Sequence, residues 1–190
     1  MRAFIAVELP AEIKSGLTRL QEELKASAAD VKWVNPENCH LTLKFLGEIN
    51  EKQKEGIIGA IKDTAQNNNP FAASIINLGA FPKMDFPRII WVGLDKGDDR
   101  VKKIAAELEE KLEKIGFPRE AREFSCHITI GRVRSGKNRL QLVRILKDLS
   151  DKPREKLPEF CIGRIILFKS TLTPQGPFYE NVNEAALKTT

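Results

Sequence analysis

Apolar and polar residues follow two different periodicities along this chain, which predict a protein of mixed helices and strands. Short apolar runs predict strands, and apolar residues at steps of three and four predict helices. In the first part of the chain the predicted strands lie at 4–7, 31–34, 40–46 and 71–78. The first predicted helix covers 13–24, with Pro10 suited to its first turn, and the second covers about 51–65. The order then starts again, with predicted strands at 88–94, 124–132, 160–168 and 178–186, and predicted helices at 101–115 and 140–149.

The second part of the sequence repeats the first at a constant offset. Phe4–Glu8 is matched by Trp91–Asp95, and Cys39–Leu43 by Cys126–Ile130, both 87 residues apart. A constant offset marks duplicated structure. We therefore predict an α+β fold: a single two-lobed domain over 1–190, with repeats of about 1–85 and 86–190. Each lobe is expected to be an antiparallel sheet with helices packed outside, and pseudo-twofold symmetry sets the matched strands across a cleft.

Composition narrows the class of protein. The chain has 190 residues, of which 42% are hydrophobic and 30% charged, so it can bury a core. Its net charge of +5 permits a polyanionic partner such as RNA without requiring one. No apolar run approaches the roughly 20 residues that cross a bilayer, and the N-terminal apolar run is too short for a signal peptide. We expect a cytoplasmic protein with no membrane contact.

The only two histidines, His40 and His127, each begin a His-x-Thr motif on a predicted strand. Because side chains alternate along a strand, His40, Thr42 and Lys44 share a polar face, as do His127 and Thr129. Two converging imidazoles can act as a general acid and a general base, and threonine hydroxyls can donate to phosphoryl oxygens. The sequence therefore predicts phosphodiester chemistry that needs no cofactor.

The two Cys-His pairs raise zinc as an alternative. Adjacent strand residues point to opposite faces, so Cys39 and His40 cannot easily grip one ion. The cysteines are instead expected to be small buried hydrophobes, namely Cys39, Cys126 and Cys161. The chain also lacks Cys-x-x-Cys, a phosphate-binding loop with its lysine, Gly-x-Gly-x-x-Gly and His-Glu-x-x-His. Most nucleotide-hydrolase, dinucleotide-binding and zinc-protease assignments are thereby excluded.

Beyond these motifs, the whole chain resembles the two-histidine (2H) phosphoesterases, and most closely the bacterial and archaeal RNA 2′,3′-cyclic phosphodiesterases, also called 2′-5′ RNA ligases. The resemblance rests on His40–Leu43 and His127–Ile130, and on further segments at 2–6, 43–47, 88–91, 131–133 and 169–179. One departure is Cys126, where many members carry proline before the second histidine. Its side chain is expected to face the core, away from the chemistry.

The resemblance implies a metal-free enzyme that opens a terminal 2′,3′-cyclic phosphate on RNA to a 2′-phosphate. It also allows ligation of tRNA-half-like ends to a 5′-hydroxyl through a 2′-5′ linkage. Carried over, His40 is the proton donor and His127 the proton acceptor, although the symmetric motifs cannot themselves order the two roles. The implied partner is RNA with a 2′,3′-cyclic phosphate end, and we expect a monomer.

Accessory residues are predicted with alternatives left open. Lys44 could meet a phosphate or be a solvated strand end. Arg132 has the parity of the apolar face, so it reaches the site only if the strand bends near Gly131, although the resemblance favours a phosphate role. Basic residues after that strand could guide an RNA backbone or form an ordinary solvated loop: Arg134, Lys137 and Arg139. Tyr179 and Phe4 could stack on a base, with core packing favoured for Phe4.

Two other functions compete with RNA cyclic-phosphate hydrolysis. One is hydrolysis of a small nucleotide such as ADP-ribose cyclic phosphate, against which the basic loop mildly favours RNA. The other is a non-catalytic nucleotide or RNA sensor that uses the same cleft. Because both histidines and both threonines are present, an enzyme is favoured over a sensor.

Overall fold

The protein consists of ten strands and four helices within the residues that the computed structural model describes, namely 1–151, 157–174 and 176–189. The strands are β1 (Arg2–Glu8), β2 (Val31–Trp33), β3 (His40–Glu48), β4 (Phe71–Ala73), β5 (Ile75–Lys83), β6 (Phe86–Leu94), β7 (His127–Val133), β8 (Phe160–Ile162), β9 (Arg164–Thr173) and β10 (Gly176–Ala186). The helices are α1 (Ala11–Lys25), α2 (Glu51–Gln66), α3 (Asp98–Lys114) and α4 (Arg139–Asp151), with a 3₁₀ turn at Pro36–Asn38. Gln175, within the tail segment of the family resemblance, lies outside the described residues.

Two four-stranded antiparallel sheets carry the histidines, which confirms the predicted fold class. One sheet has the order β10-β9-β1-β3 and holds His40, and the other has the order β2-β7-β6-β5 and holds His127. The two short strands β4 and β8 pair with each other and form a separate two-stranded sheet.

Each sheet takes strands from both sequence repeats, so a lobe does not correspond to one half of the chain. The sheet of His40 combines β1 and β3 with β9 and β10, and the sheet of His127 combines β6 and β7 with β2 and β5. The exchange occurs because the predicted strands 71–78 and 160–168 are each interrupted, at Ser74 and Gly163. Beyond the break, β5 pairs with β6 and β9 pairs with β1, each in the opposite repeat.

The helices bury the apolar stripes that the sequence predicts. Ile13, Leu17 and Leu24 of α1 are fully buried, and α3 buries a comparable row that includes Leu108 and Leu112. Burying each such side chain contributes about 1.5–3 kcal/mol to stability. The α3 helix ends just before Gly116, whose positive φ of 94° lets the Phe117 N–H bond back to the Leu112 carbonyl. None of the described helices is long and apolar enough to span a membrane.

Candidate active site

The two histidines are the first residues of β3 and β7, and the beginnings of these strands touch. The Cys39 thiol donates to the Thr129 carbonyl at 3.9 Å. The Val34 N–H donates to the Ile130 carbonyl at 3.0 Å. The buried Gln21 amide donates to both the Val34 and the Ile130 carbonyl, at 2.7 and 2.8 Å. The Cys39 contact joins the two sheets, whereas the Val34 bond extends the pairing of β2 with β7, and Gln21 ties α1 to that pair of strands.

The two imidazoles are held in the same way. Nδ1 of His40 lies 2.7 Å from the Asn38 carbonyl oxygen, and Nδ1 of His127 lies 2.8 Å from the Ser125 carbonyl oxygen. A carbonyl can only accept, so Nδ1 carries the hydrogen in both rings. Nε2 of each ring is therefore the nitrogen that can exchange a proton with a ligand.

Aromatic rings frame each histidine at positions that again differ by 87. Phe4 stacks on His40 with centroids 4.7 Å apart, and Phe168 lies 6.4 Å from it. Around His127 the matching residues are Trp91 at 6.3 Å and Phe81 at 5.1 Å. Phe4 is only 4% exposed, so it combines the predicted core packing with direct contact to His40.

Tyr179 breaks the symmetry of the pair. It comes from β10, the fourth strand of the His40 sheet, and lies edge-on at 5.3 Å from His40 and 4.9 Å from Phe4. The His127 sheet has its fourth strand, β2, on the opposite side, beside β7. His40 is consequently the more enclosed ring. Tyr179 thus packs on a histidine, and its contact with an RNA base stays a prediction.

Enclosure sets the charge of His40. Burial lowers the pKa of His40 from 6.5 to about 4, and the hydrogen bond to the Asn38 carbonyl only partly opposes this. The free protein therefore holds His40 neutral near pH 7, with a lone pair on Nε2. Burial raises the pKa of the Tyr179 phenol, whereas the positive charges of Arg132 and Arg2 lower it, so both guanidinium groups lie within electrostatic reach of Tyr179.

A β-bulge at the same place in each motif strand decides which side chains face the site. Residue 43 is skipped in the pairing of β3 with β1, and residue 130 is skipped in the pairing of β7 with β6. Two successive residues then point inward, and alternation is reversed beyond them. The strand thus bends near Gly131 as the sequence hypothesis for Arg132 required, and Arg132 is exposed on the face of His127 and Thr129. Phe45 takes the matching position and is 63% exposed, although strict alternation would place it on the apolar face with Cys39.

The same bulge turns Lys44 away from the site, so its predicted place beside His40 is wrong. Lys44 is 5% exposed. Its Nζ lies 2.8 Å from Oε1 of Glu109 and 2.8 Å from the Pro118 carbonyl oxygen, with Glu120 at 3.6 Å. Lys44 therefore joins β3 to α3 and the loop after it, and its charge is satisfied within the protein.

Trp91 is a site residue that the sequence analysis treated only as part of a strand. Its indole lies across Gly79 and Gly93, where an added Cβ would come within 2.3 and 3.1 Å of the ring. Glycines inside apolar strands are the signal that could have revealed this close approach. An open cavity of about 380 Å³ adjoins the indole and is also lined by Asn77 and Ser125. Neither His127 nor Thr129 is among its lining residues, which include Asp98 and Glu123, so this cavity lies beside the histidine site and not within it.

Only two of the three predicted basic side chains after β7 line a common cleft. Arg134 and Arg139 line a cleft of about 290 Å³ together with Arg88, whereas Lys137 is exposed and does not line it. None of these side chains touches the histidines, because the loop follows the far end of β7.

None of the three cysteines has the environment of a reactive thiol at the histidine site. Cys39 and Cys126 are buried, and burial raises the pKa of each thiol to about 12, so both remain protonated. Cys161 is exposed on β8, and the prediction that it is buried is wrong. The described residues include no cluster of three or more histidine, cysteine or carboxylate side chains that could hold a metal ion.

A duplicated strand with histidine and threonine on one face is the defining site of a two-histidine phosphoesterase, and comparison with known proteins agrees. The model of the family described as LigT like phosphoesterase matches residues 7–91 and again residues 92–179. The chain belongs to this family.

Individual relatives match over the full length. RNA 2′,3′-cyclic phosphodiesterase of Methanocaldococcus jannaschii is 36% identical over 185 residues, which cover 97% of this chain and 99% of that protein. The protein of the same name from Methanothermobacter thermautotrophicus is 33% identical over 182 residues, 96% of each chain. The crystal structure of TT0787 of Thermus thermophilus superposes with a TM-score of 0.80 at 26% identity, covering 98% of each chain.

Proposed function

We propose that this protein hydrolyses the 2′,3′-cyclic phosphate end of RNA to a 2′-phosphate by general acid–base catalysis between His40 and His127, without a metal. The observation that carries the proposal is the matched pair of imidazoles, each with Nδ1 on a backbone carbonyl and Nε2 left for a ligand. The names of the full-length relatives from the two methanogens support the substrate.

In this mechanism the proton moves between the two Nε2 atoms through the reaction. Nε2 of His127 accepts a proton from water, whose oxygen attacks phosphorus. The bond from phosphorus to the 3′ oxygen breaks, and Nε2–H of His40 donates a proton to that oxygen. The hydroxyls of Thr42 and Thr129 donate hydrogen bonds to the phosphoryl oxygens, whose negative charge grows as water attacks. Exchange with solvent then restores both histidines.

The donor role of His40 requires that the substrate itself charge the ring, because its pKa in the free protein is about 4. A phosphate anion about 4 Å away stabilises the imidazolium by about 4 kcal/mol at the effective dielectric constant of a partly buried site. At about 1.4 kcal/mol per pH unit, this is enough to bring the pKa of His40 back to near neutrality. His40 therefore takes up a proton as the cyclic phosphate binds.

Other side chains around the cleft fit an anionic nucleotide. The exposed Arg132 on the histidine face attracts the phosphate, and Arg2 adds positive charge on the Tyr179 side. The same site geometry supports 2′-5′ ligation, in which a 5′-hydroxyl takes part instead of water. A cytoplasmic location and a monomeric state remain our predictions.

The proposed function is tested by identifying the product that forms from a defined RNA end. An oligoribonucleotide with a 2′,3′-cyclic phosphate is incubated with the protein, and the products are separated by chromatography against 2′-phosphate and 3′-phosphate standards. We expect the 2′-phosphate alone. A 3′-phosphate product, or no turnover, would contradict the proposal. Faster turnover of ADP-ribose cyclic phosphate than of the oligomer would move the substrate to the small-nucleotide class.

A further inference from the structure

A positively charged cleft lies beyond the end of β7, about six strand residues from His127. It holds about 290 Å³ and is lined by Phe86, Pro87, Arg88, Val133, Arg134, Ser135 and Arg139. No carboxylate is among the described residues that line it, and none of its three arginine side chains forms an ion pair with a described residue.

Arg139 is held in place but left chemically unsatisfied. Its guanidinium carbon lies 4.1 Å from the centre of the Phe86 ring, and on another side the guanidinium group packs close to Gly136. Its Nε is buried and has no hydrogen-bond partner among the described residues. A buried donor without a partner is costly, so this group is suited to an acceptor that the chain does not supply.

The loop that presents these arginines is fixed at both ends. The Arg134 N–H donates to the Asp30 carbonyl at 2.9 Å, and the Asn138 side-chain amide donates to the Ala28 carbonyl at 3.0 Å. Asp85, the acid beside Phe86 in the β5–β6 turn, is bound by Lys147 at 2.5 Å. The Asp85 carboxylate is therefore paired with Lys147 of α4 and with none of the three arginines that line the cleft.

We infer that this cleft binds a backbone phosphodiester of RNA upstream of the reacting end, an inference that rests on the proposed function. Arginine is the side chain best matched to a phosphate, and the Arg139 guanidinium group packs over the Phe86 ring. The cleft starts about 13 to 20 Å along β7 from the histidine and threonine, at about 3.3 Å per residue. This length corresponds to about four to six stacked nucleotides at 3.4 Å each, with Arg132 in between.

The test compares RNA binding by variants inside and outside the cleft. Fluorescence anisotropy is measured with an RNA of about ten nucleotides that ends in a 2′-phosphate, and with a dinucleotide of the same end. Arg139→Gln and Arg88→Gln each remove a charge, and Arg88→Gln serves if loss of the Phe86 contact unfolds the first variant. Arg144→Gln, on the exposed part of α4, is the matched control.

We expect each cleft variant to bind the long RNA about five- to tenfold more weakly and to lower the slope of log K against log salt by about 0.7, the value for one single-strand phosphate contact. The dinucleotide and the control variant should show no such change. Equal effects of all three substitutions, or equal effects on both RNAs, would overturn the inference. If the cleft variants weaken RNA binding as expected but the wild type does not hydrolyse the cyclic phosphate, the proposed function is rejected. The assignment of the cleft as an RNA phosphate site would then still stand.

Discussion

Replacing His40 by asparagine should make the folded protein less sensitive to acid. Burial among Phe4, Phe168 and Tyr179 lowers the pKa of His40 to about 4, against 6.5 for an ordinary histidine. Between these two pKa values His40 is protonated in the unfolded chain but not in the folded chain. The free energy of unfolding therefore falls as the pH drops through this range. Below about pH 4 both states are protonated and His40 adds no further loss.

The size of the effect follows from the two values. A difference of about 2.5 pH units corresponds to about 3 kcal/mol at 1.4 kcal/mol per unit. Urea unfolding, followed by tryptophan fluorescence from about pH 7 to pH 4, should show the wild type losing about 3 kcal/mol more than His40→Asn. Carboxylates such as Asp85, whose pKa is lowered by the hydrogen bond and charge of Lys147, also weaken the fold in acid. They do so in both proteins and cancel in the comparison.

Thr42→Val provides the control, because it changes the same face and keeps the imidazole. This variant should lose stability with acid as the wild type does. Parallel stability curves for the wild type and His40→Asn would refute the reasoning, since they would mean that His40 is solvated in the folded protein and has no need of a substrate charge.

Three further predictions concern the threonines and cysteines of the motifs, the buried Lys44, and the need for a metal. Thr42→Val and Thr129→Val should each lower cyclic-phosphate turnover by at least about tenfold, whereas Cys39→Ala and Cys126→Ala should lower the melting temperature and leave turnover near wild type; the reverse pattern would contradict the face assignment. Lys44→Met should cost about 2 kcal/mol of stability in urea unfolding with unchanged turnover, and a selective loss of turnover would return Lys44 to the site. Turnover should survive exhaustive EDTA treatment, and a loss restored by a divalent ion would show that a metal is required.

The sequence contains strong local signals for the two motif strands. The alternation around His40 and His127 assigns each imidazole and its threonine to one face, and the 87-residue offset aligns Phe4 with Trp91, although only the structure shows that both rings lie beside a histidine. Helix stripes are equally clear, since each buried residue recurs at helical spacing. These features depend on residues that are close in sequence, so they can be predicted from the pattern within a single strand or helix.

The sequence predictions are wrong where contacts between distant parts of the chain determine which way a side chain points or which strands pair. A bulge needs a partner strand, so the inward turn of Lys44 and the outward turn of Phe45 cannot be read from alternation alone. The exchange of β5 and β9 between the repeats depends on breaks at Ser74 and Gly163 inside continuous apolar runs. Tyr179 reaches His40 only because β10 adds to one sheet, and this contact makes the two histidines unequal.

The most direct test of the two-histidine mechanism is the pH dependence of cyclic-phosphate hydrolysis by His40→Asn and His127→Asn beside the wild type. The wild type should give a bell-shaped profile between about pH 5 and 9, and each folded variant should turn over at least about a hundredfold more slowly. Loss of the acidic limb in His127→Asn and of the alkaline limb in His40→Asn would confirm His127 as the base and His40 as the acid. The opposite pattern would exchange the two roles, and near-native turnover by either folded variant would contradict the mechanism itself.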